Sequence, residues 1–374
     1  MYSFRNDYAE GAHPEVLQAI VNTNFEQTPG YTEDERCAHA RVLIQSAIAK
    51  SDTNNALAAA NIHTEDLQIE FIHGGTMANL MAITAALRPH ECVIAAPDGH
   101  INVHETGAIE ANGHKVVVTT DTNGFLTVNG IHAVMQHHEM GNNFHMVKPR
   151  MLYISLATEM GLVFTRSHLR SLYNYAQEHD LLLYIDGARI AAGLASEECD
   201  LTLADVCAYS DAFSLGGTKN GALFGEAMVI RNPEIGRDFR YIMKQKGAVV
   251  AKGRALGVQF ETLFGMSGAD AGIPEAEGDE CLFLALGRHS VAMALKLKDI
   301  LIEAGYTTFL CDSPTNQQFL ILSQIEADFF MKTFDADYIS RMDEETVVVR
   351  MTTRWSTSDK DILFVQDTLK HHIH

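Results

Sequence analysis

Ser214-Leu215-Gly216-Gly217-Thr218-Lys219-Asn220-Gly221 closes an apolar run, Val206 to Leu215, that reads as a buried strand, and a second apolar segment, Ala222 to Ile230, leads away from it. Glycines on both sides of Lys219 remove side chains that would crowd a bulky ligand, and they permit positive φ. An amine held there and partly desolvated has a lowered pKa and can condense with an aldehyde. Taken alone, such a lysine also reads as a turn residue or a nucleotide-phosphate contact. It is not a P-loop lysine, because it follows the glycines too soon and no Ser or Thr comes after it to hold magnesium.

Upstream lies another apolar run, Leu182-Leu183-Tyr184-Ile185, ending in Asp186-Gly187-Ala188-Arg189. A carboxylate at one strand end and a lysine at a neighbouring one are the two protein groups that pyridoxal phosphate requires: the lysine carries the aldehyde, and the aspartate keeps the pyridine nitrogen protonated. Alone, Asp-Gly-Ala-Arg is also a plain turn after a strand. The ordered pair is what points to this cofactor.

Short apolar strands (Gln68 to His73, Glu91 to Ala96, His114 to Thr119, Met151 to Ser155, Leu181 to Ile185) alternate with helical stretches, among them Leu126 to Met140 and Thr165 to His179. That alternation predicts an α/β fold with a mainly parallel sheet flanked by helices. Ligands of such sheets bind beyond the carboxyl ends of the strands. His73 to Thr76, Pro97 to His100, Leu156 to Glu159, Asp186 to Arg189 and Gly216 to Lys219 therefore face one crevice. Gly74-Gly75-Thr76-Met77, between a strand and an apolar helix, suits a phosphate, since free N–H groups at a helix start favour an anion; an ordinary capped helix is the alternative. His100 and His104 are four apart and could share a helix face toward zinc, but the order is not H-E-x-x-H and Gly107 is poor inside a ligand helix. The other use for His100 is to lie flat on a pyridine ring, with His104 a solvated loop residue.

Residues 1–30 read as an extended arm with one short helix from Pro14. A helical stretch from Arg240 to about Phe264 carries Arg240, Lys244, Lys246, Lys252 and Arg254, either as a solvated face or as phosphate contacts offered to a neighbouring subunit. Gly265 to Gly278 marks a hinge. A long helix (Asp279 to Ala304), strands near Thr307 to Leu310, Gln317 to Leu322 and Thr346 to Thr353, and a last helix from Ser358 form a small α+β domain. The division expected is 1–250 for the arm and large domain and 251–374 for the connecting helix and small domain.

The 374 residues are 47% hydrophobic, enough for a sizeable core. Lys+Arg 28 against Asp+Glu 48 gives a net charge of -20, which disfavours nucleic acid or an anionic membrane as partner. No stretch has the roughly eighteen apolar residues of a membrane span, and the start lacks a signal-peptide pattern, so a cytoplasmic protein is expected. The six cysteines are scattered, which fits reduced thiols better than disulfides or a zinc cluster.

Together, Phe4-Arg5-Asn6-Asp7, Gly74-Gly75-Thr76-x-Ala78-Asn79-Leu80, His100-x4-Glu105-x-Gly107, Asp186-Gly187-Ala188-Arg189 and Thr218-Lys219 resemble the threonine aldolase and β-eliminating lyase family of pyridoxal-phosphate enzymes. The resemblance spans most of the chain. It implies the fold-type I architecture, a large cofactor domain with a small C-terminal α+β domain, and active sites completed across a homodimer or homotetramer. It assigns Lys219 to the cofactor aldehyde, Asp186 to the pyridinium and His100 to the ring face. Gly75, Thr76, Met77, Thr218 and Lys252 become further cofactor contacts. Arg189 and Arg350 would bind the carboxylate of an amino-acid substrate, with Tyr31 and with Asn6 standing where the family often has serine.

The reaction implied is cleavage of a β-hydroxy-α-amino acid to glycine and an aldehyde. Where the family often has a histidine near the β-hydroxyl, this chain has Glu159, which could act as the base itself or orient a water or His104. Two other classes use part of the same set. An aminotransferase would release a keto acid, and a non-catalytic cofactor binder or a zinc hydrolase would need no lysine adduct.

Overall fold

A computed structural model describes residues 2–140 and 144–372. The apolar runs become seven strands: β1 (Gln68–Ile72), β2 (Glu91–Ala95), β3 (Lys115–Val118), β4 (Lys148–Ser155), β5 (Leu182–Asp186), β6 (Ala212–Gly216) and β7 (Glu226–Ile230). They form one sheet in the order β1-β7-β6-β5-β4-β2-β3. β2 through β6 pair in parallel, whereas β7 is antiparallel to both β6 and β1. Because β7 is reversed between them, β1 runs in the direction of β6. The carboxyl ends of β1, β2, β4, β5 and β6 therefore share one edge.

Alternate residues of each strand go to opposite faces, as the two-residue period of a strand requires. Ile94, Leu152, Ile154, Leu183 and Phe213 enter one core; Val93, Ala95, Tyr153, Tyr184 and Met228 enter the other. Helices cover both faces, which is why these strands are apolar on both sides and read as continuous runs.

A second, antiparallel sheet, β8-β10-β9, contains β8 (Gln317–Ser323), β9 (Asp337–Arg341) and β10 (Thr346–Thr352). The helices Leu282–Glu303, Gln324–Phe334 and Asp359–His372 supply the rest of its core. Phe4 of the N-terminal arm is fully buried in that core and is tied by its backbone to Phe334 and Thr352.

Three element assignments are corrected. Val206 to Leu215 is not one strand: Leu203–Ala208 is helical, nucleated by a capping box in which Thr202 and Asp205 satisfy each other's backbone N–H, and β6 begins only at Ala212. Arg240 to Phe264 is two helices, Phe239–Lys246 and Arg254–Gly265, separated where Gly247 takes the left-handed conformation with φ 77°. Thr307 to Leu310 contributes an isolated bridge, Phe309 to Leu320, and not a strand.

Candidate active site

Asp186 and Lys219 are brought together by glycines that act through close packing. A Cβ on Gly187 would lie 1.8 Å from the Ser214 carbonyl oxygen, and one on Gly216 would lie 2.5 Å from that of Ala188. Only glycine lets the ends of β5 and β6 approach so closely. The positive φ expected beside Lys219 occurs at Gly221, at 85°, and not at Gly216 or Gly217.

Lys219 makes no hydrogen bond with the described residues. Its pKa is lowered, first by burial and then by the charge of Arg189, against the pull of Asp7, Asp186 and Glu226. Its Nζ lies 5.9 Å from the centre of the Tyr8 ring. Glu226, at the start of β7, holds the lysine turn: its carboxylate accepts from the Gly217 N–H at 3.0 Å and the Thr218 hydroxyl at 2.8 Å. Burial pushes Glu226 up to about 8, although the Thr218 hydrogen bond and the Lys219 charge work the other way. Thr218 Oγ1 also accepts from Gly225 N–H at 2.9 Å, so its hydroxyl serves the turn.

Asp186 accepts from Asn79 Nδ2 (2.8 Å), the Tyr153 hydroxyl (2.7 Å) and the Ala188 N–H (2.9 Å). Asn79 Nδ2 also donates to Glu105 Oε1 at 2.7 Å, the oxygen that lies 2.7 Å from His100 Nδ1. His100 is thus oriented by a fully buried carboxylate that is itself tied to Asp186. The rings of His100 and His104 are 5.4 Å apart. His104 is shifted downward by burial and by the charges of His100, Arg350, Lys219 and Arg189, which favours its neutral form. No group of three potential metal ligands occurs among the described residues.

Glu159 follows β4. Its Oε1 accepts from Ser155 Oγ at 2.6 Å and from the His100 backbone N–H at 2.9 Å. It reaches His100 through the backbone and has no hydrogen bond to His104 among the described residues. Burial raises its pKa, partly offset by the Ser155 hydrogen bond, and the negative charge of Asp186 adds to the rise.

The two arginines come from different sheets, Arg189 after β5 and Arg350 on β10. Arg189 Nε and Nη2 bind Asp7 at 2.7 and 3.0 Å. Arg350 donates to Gln317 Oε1 (3.0 Å) and Asp337 Oδ2 (2.8 Å), while its buried Nε has no hydrogen-bond partner among the described residues. Burial and the proximity of Arg189 lower the Arg350 pKa. Two neighbouring guanidinium groups with an uncommitted N–H have the chemistry to accept a carboxylate. Asn6 precedes Asp7, the partner of Arg189; its side chain accepts from the Tyr8 N–H and its carbonyl from Arg354.

Tyr31 and Lys252 do not join this cluster. Tyr31 is bonded to Ala251 through its backbone, and Lys244 Nζ lies 4.3 Å from its ring centre. Lys252 lines a surface cleft of about 780 Å³ with Thr23, Pro29, Gly30 and Arg254, and that cleft contains neither Lys219 nor Asp186. Of the basic stretch, Arg240 pairs with Glu70 and Glu33, and Arg254 with Glu26.

The residues present fit pyridoxal phosphate. The first turn of the helix Gly75–Ala86 has no side-chain cap, and Gly74 and Gly75 face open space, leaving N–H groups for a phosphate. Met77 sits in that turn, packed against the core beneath it. Across the edge wait an unbonded amine and a carboxylate whose protein partners all donate. Asn79, Glu105, Tyr153, Ser155, Glu226 and Asp7 were not singled out as site residues from sequence. Asn79, Glu105 and Asp7 do stand inside quoted motifs, and Glu226 is a charge at the head of an apolar run directly after the lysine turn.

Fold and site together define a fold-type I enzyme of the pyridoxal-phosphate class. Residues 35–307 match the family described as Beta-eliminating lyase. The solved threonine aldolase of Leishmania major is 38% identical over the full length of both chains, with a TM-score of 0.89. A low specificity L-threonine aldolase of Pseudomonas aeruginosa is 29% identical over 255 residues, covering 68% of each chain. A methionine aminotransferase of Escherichia coli, 12% identical with a TM-score of 0.70 over 99% of this chain and 93% of its own, shares the fold alone. The chain belongs to the beta-eliminating lyase family.

Proposed function

We propose that this chain cleaves the Cα–Cβ bond of β-hydroxy-α-amino acids of the threonine, allo-threonine or phenylserine type to glycine and an aldehyde, using pyridoxal phosphate. When bound, the cofactor supplies an aldehyde for the substrate amine and a ring that takes up the electrons of the breaking bond. Lys219 is the amine that would hold the cofactor between turnovers. Asp186 would keep the ring nitrogen protonated, His100, oriented by Glu105, would cover the ring face, and the first-turn N–H groups of Gly75, Thr76 and Met77 would hold the phosphate.

Arg189 and Arg350 would bind the substrate carboxylate and so fix the direction of the Cα–Cβ bond that is to break. Glu159, whose basicity is raised by burial, takes the β-hydroxyl proton directly or through a water. The observation that carries the reading is the convergence of Lys219, Asp186, Glu159 and Arg189 at one sheet edge, with Arg350 of the second sheet near Arg189, in a chain 38% identical to a threonine aldolase.

Tyr31 and Lys252 lie apart from Lys219 in their own chain, which supports a homodimer or homotetramer in which they reach a neighbour's site. Among the described residues no helix is long and apolar enough to cross a membrane; we take the cytoplasm as the location. The test is a panel of β-hydroxy amino acids scored for aldehyde and glycine with the cofactor-loaded protein. Glu159→Gln should lower kcat about 10²- to 10⁴-fold while leaving exchange of the glycine α-proton nearly untouched. Keto acid in place of aldehyde would make the chain an aminotransferase and end the proposal.

A further inference from the structure

Glu159 and Asp186 are joined by two hydroxyls. Ser155 Oγ lies 2.6 Å from Glu159 Oε1 and 3.2 Å from the Tyr153 oxygen, and the Tyr153 hydroxyl lies 2.7 Å from Asp186 Oδ2. Tyr153 is 1% exposed and Ser155 7%. We propose that Ser155 and Tyr153 are positioning residues that form a hydrogen-bond relay, through which the protonation of Glu159 is communicated to Asp186 at the far end of the site. The role of this coupling in turnover rests on the assignment of Glu159 and Asp186 in the proposed cleavage; the relay itself rests on the geometry alone.

Counting protons gives the relay its direction. Asp186 accepts from Tyr153, which commits the single phenolic proton and turns the Tyr153 lone pairs toward Ser155. Ser155 also has one proton, and it can point to Glu159 or to Tyr153. When Glu159 is a carboxylate it takes the Ser155 proton, and the contact between Ser155 and Tyr153 is left with none. When Glu159 is protonated it donates to Ser155, Ser155 turns to Tyr153, and every oxygen contact from Glu159 to Asp186 contains one proton. No covalent bond of the relay breaks in this switch. If the substrate's β-hydroxyl gives its proton to Glu159, one O–H bond breaks there, one forms on the carboxylate, and Ser155 rotates. A Tyr153 that accepts a hydrogen bond is a better donor to Asp186. Uptake of the proton at one end is thereby felt where the ring nitrogen would sit.

The groups facing Glu159 are consistent with an adjustable proton. Asp186 opposes its charge, Arg189 favours it, and the Ser155 hydroxyl and His100 N–H stabilise it. Tyr153 is held in its phenol form by burial first, then by the charges of Asp186, Glu159 and Glu105. Its oxygen points the negative end of the O–H dipole toward Ser155 and Glu159.

The two hydroxyls then have opposite effects on Glu159. Tyr153→Phe removes that dipole and the closed chain that rewards the protonated form, so the Glu159 midpoint should fall. Ser155→Ala removes the donor to the carboxylate, so the midpoint should rise. One hydrogen bond corresponds to about half to one pH unit in each direction. The midpoint is read from the infrared carbonyl band of the protonated carboxyl, identified by its loss in Glu159→Gln, in protein without and with pyridoxal phosphate. In loaded wild type the visible cofactor band should shift at the same midpoint, and in Tyr153→Phe it should not follow Glu159. Opposite shifts establish the relay. Unchanged midpoints, shifts of the same sign, or a wild-type visible band indifferent to Glu159 overturn it. If Tyr153→Phe does not fold, Ser155→Ala decides, a raised midpoint supporting the relay and an unmoved one ending it. Absence of aldehyde release would count against the proposed cleavage, while the relay would still stand or fall on these midpoints.

Discussion

Replacing Asp7 by Asn tests whether the N-terminal arm holds Arg189, the arginine proposed to bind the substrate carboxylate. Asp7 is 2% exposed and meets Arg189 through two hydrogen bonds, with Asn316 Nδ2 donating to it at 3.0 Å. Burial by itself would raise the Asp7 pKa, but Arg189 and Lys219 together with the hydrogen bonds outweigh it and hold the carboxyl below its usual range. Asparagine keeps the shape and one acceptor, yet its amide nitrogen must face a guanidinium N–H in either orientation, and in one of them the Asn316 amide as well. Removing one member of a buried pair costs about 3–5 kcal/mol. At an unfolding entropy of about 2.1 cal/mol/K per residue, that is a fall in Tm of about 4–6 °C for this chain. The sign with pH follows from the depressed pKa. The contribution is complete above the unfolded value of about 3.9 and disappears as pH falls through that value toward the folded one. The gap between wild type and Asp7→Asn should therefore be constant near neutrality and close below about pH 4, measured by thermal melts across pH. With Arg189 holding the substrate carboxylate as proposed, before and during the reaction alike, KM for the amino acid should rise more than kcat falls. An unchanged Tm at pH 7 with an unchanged KM would refute the argument, as would a gap that widens in acid.

Lys219→Ala should lose the visible absorbance of the cofactor joined to the protein and essentially all aldehyde release, measured by spectrophotometry and turnover assay; wild-type activity in that variant would remove Lys219 from its role. Glu226 is shifted the other way from Asp7: a folded pKa of about 8 means its stabilising protonation is intact below the unfolded value of about 4.5 and is lost as pH rises toward 8. Denaturant midpoints of wild type should accordingly fall relative to Glu226→Gln between pH 5 and 9, and parallel profiles would contradict the buried acid. Lys252→Ala should weaken cofactor binding only in an assembled oligomer, so light scattering beside a cofactor titration checks it, with an active monomer excluding the shared site.

The sheet was legible because strands buried on both faces leave unbroken apolar runs. β5 is the clearest, Leu182-Leu183-Tyr184-Ile185 stopping at Asp186. Legibility failed where a local signal competed with the apolar pattern. Leu203–Ala208 is as apolar as a strand, and only Thr202 with Asp205 announces a helix start. Phe239–Lys246 and Arg254–Gly265 merge in periodicity because the segment between them, Gly247 to Gly253, is largely apolar (Ala248, Val249, Val250, Ala251) and only its two glycines mark the break. β9 escaped notice for the opposite reason: Asp337–Arg341 is largely exposed at a sheet edge, and its apolar residues, Tyr338 and Ile339, are adjacent instead of alternating.

The site divides along the same line between residues and their partners. Lys219, Asp186 and His100 could be found because each ends or follows a strand with glycine nearby, a context written into neighbouring positions. Their partners are set by the fold: Asp7 reaches Arg189 across 182 positions, and Asn79 reaches Asp186 across 107. Glu159 shows what this changes. From sequence it is a carboxylate in place of a histidine, and Coulomb attraction by itself would keep a carboxylate beside two arginines ionised and turned toward them. In the fold its oxygen is claimed by Ser155 and the His100 N–H, while Arg189 is satisfied by Asp7. Asp7 therefore does more than steady an arginine. Its charge opposes that of Arg189, the cation that would otherwise hold Glu159 ionised, so burial and Asp186 can raise Glu159 against its hydrogen bonds, and in the proposed cleavage a carboxylate then stands where the family often has an imidazole.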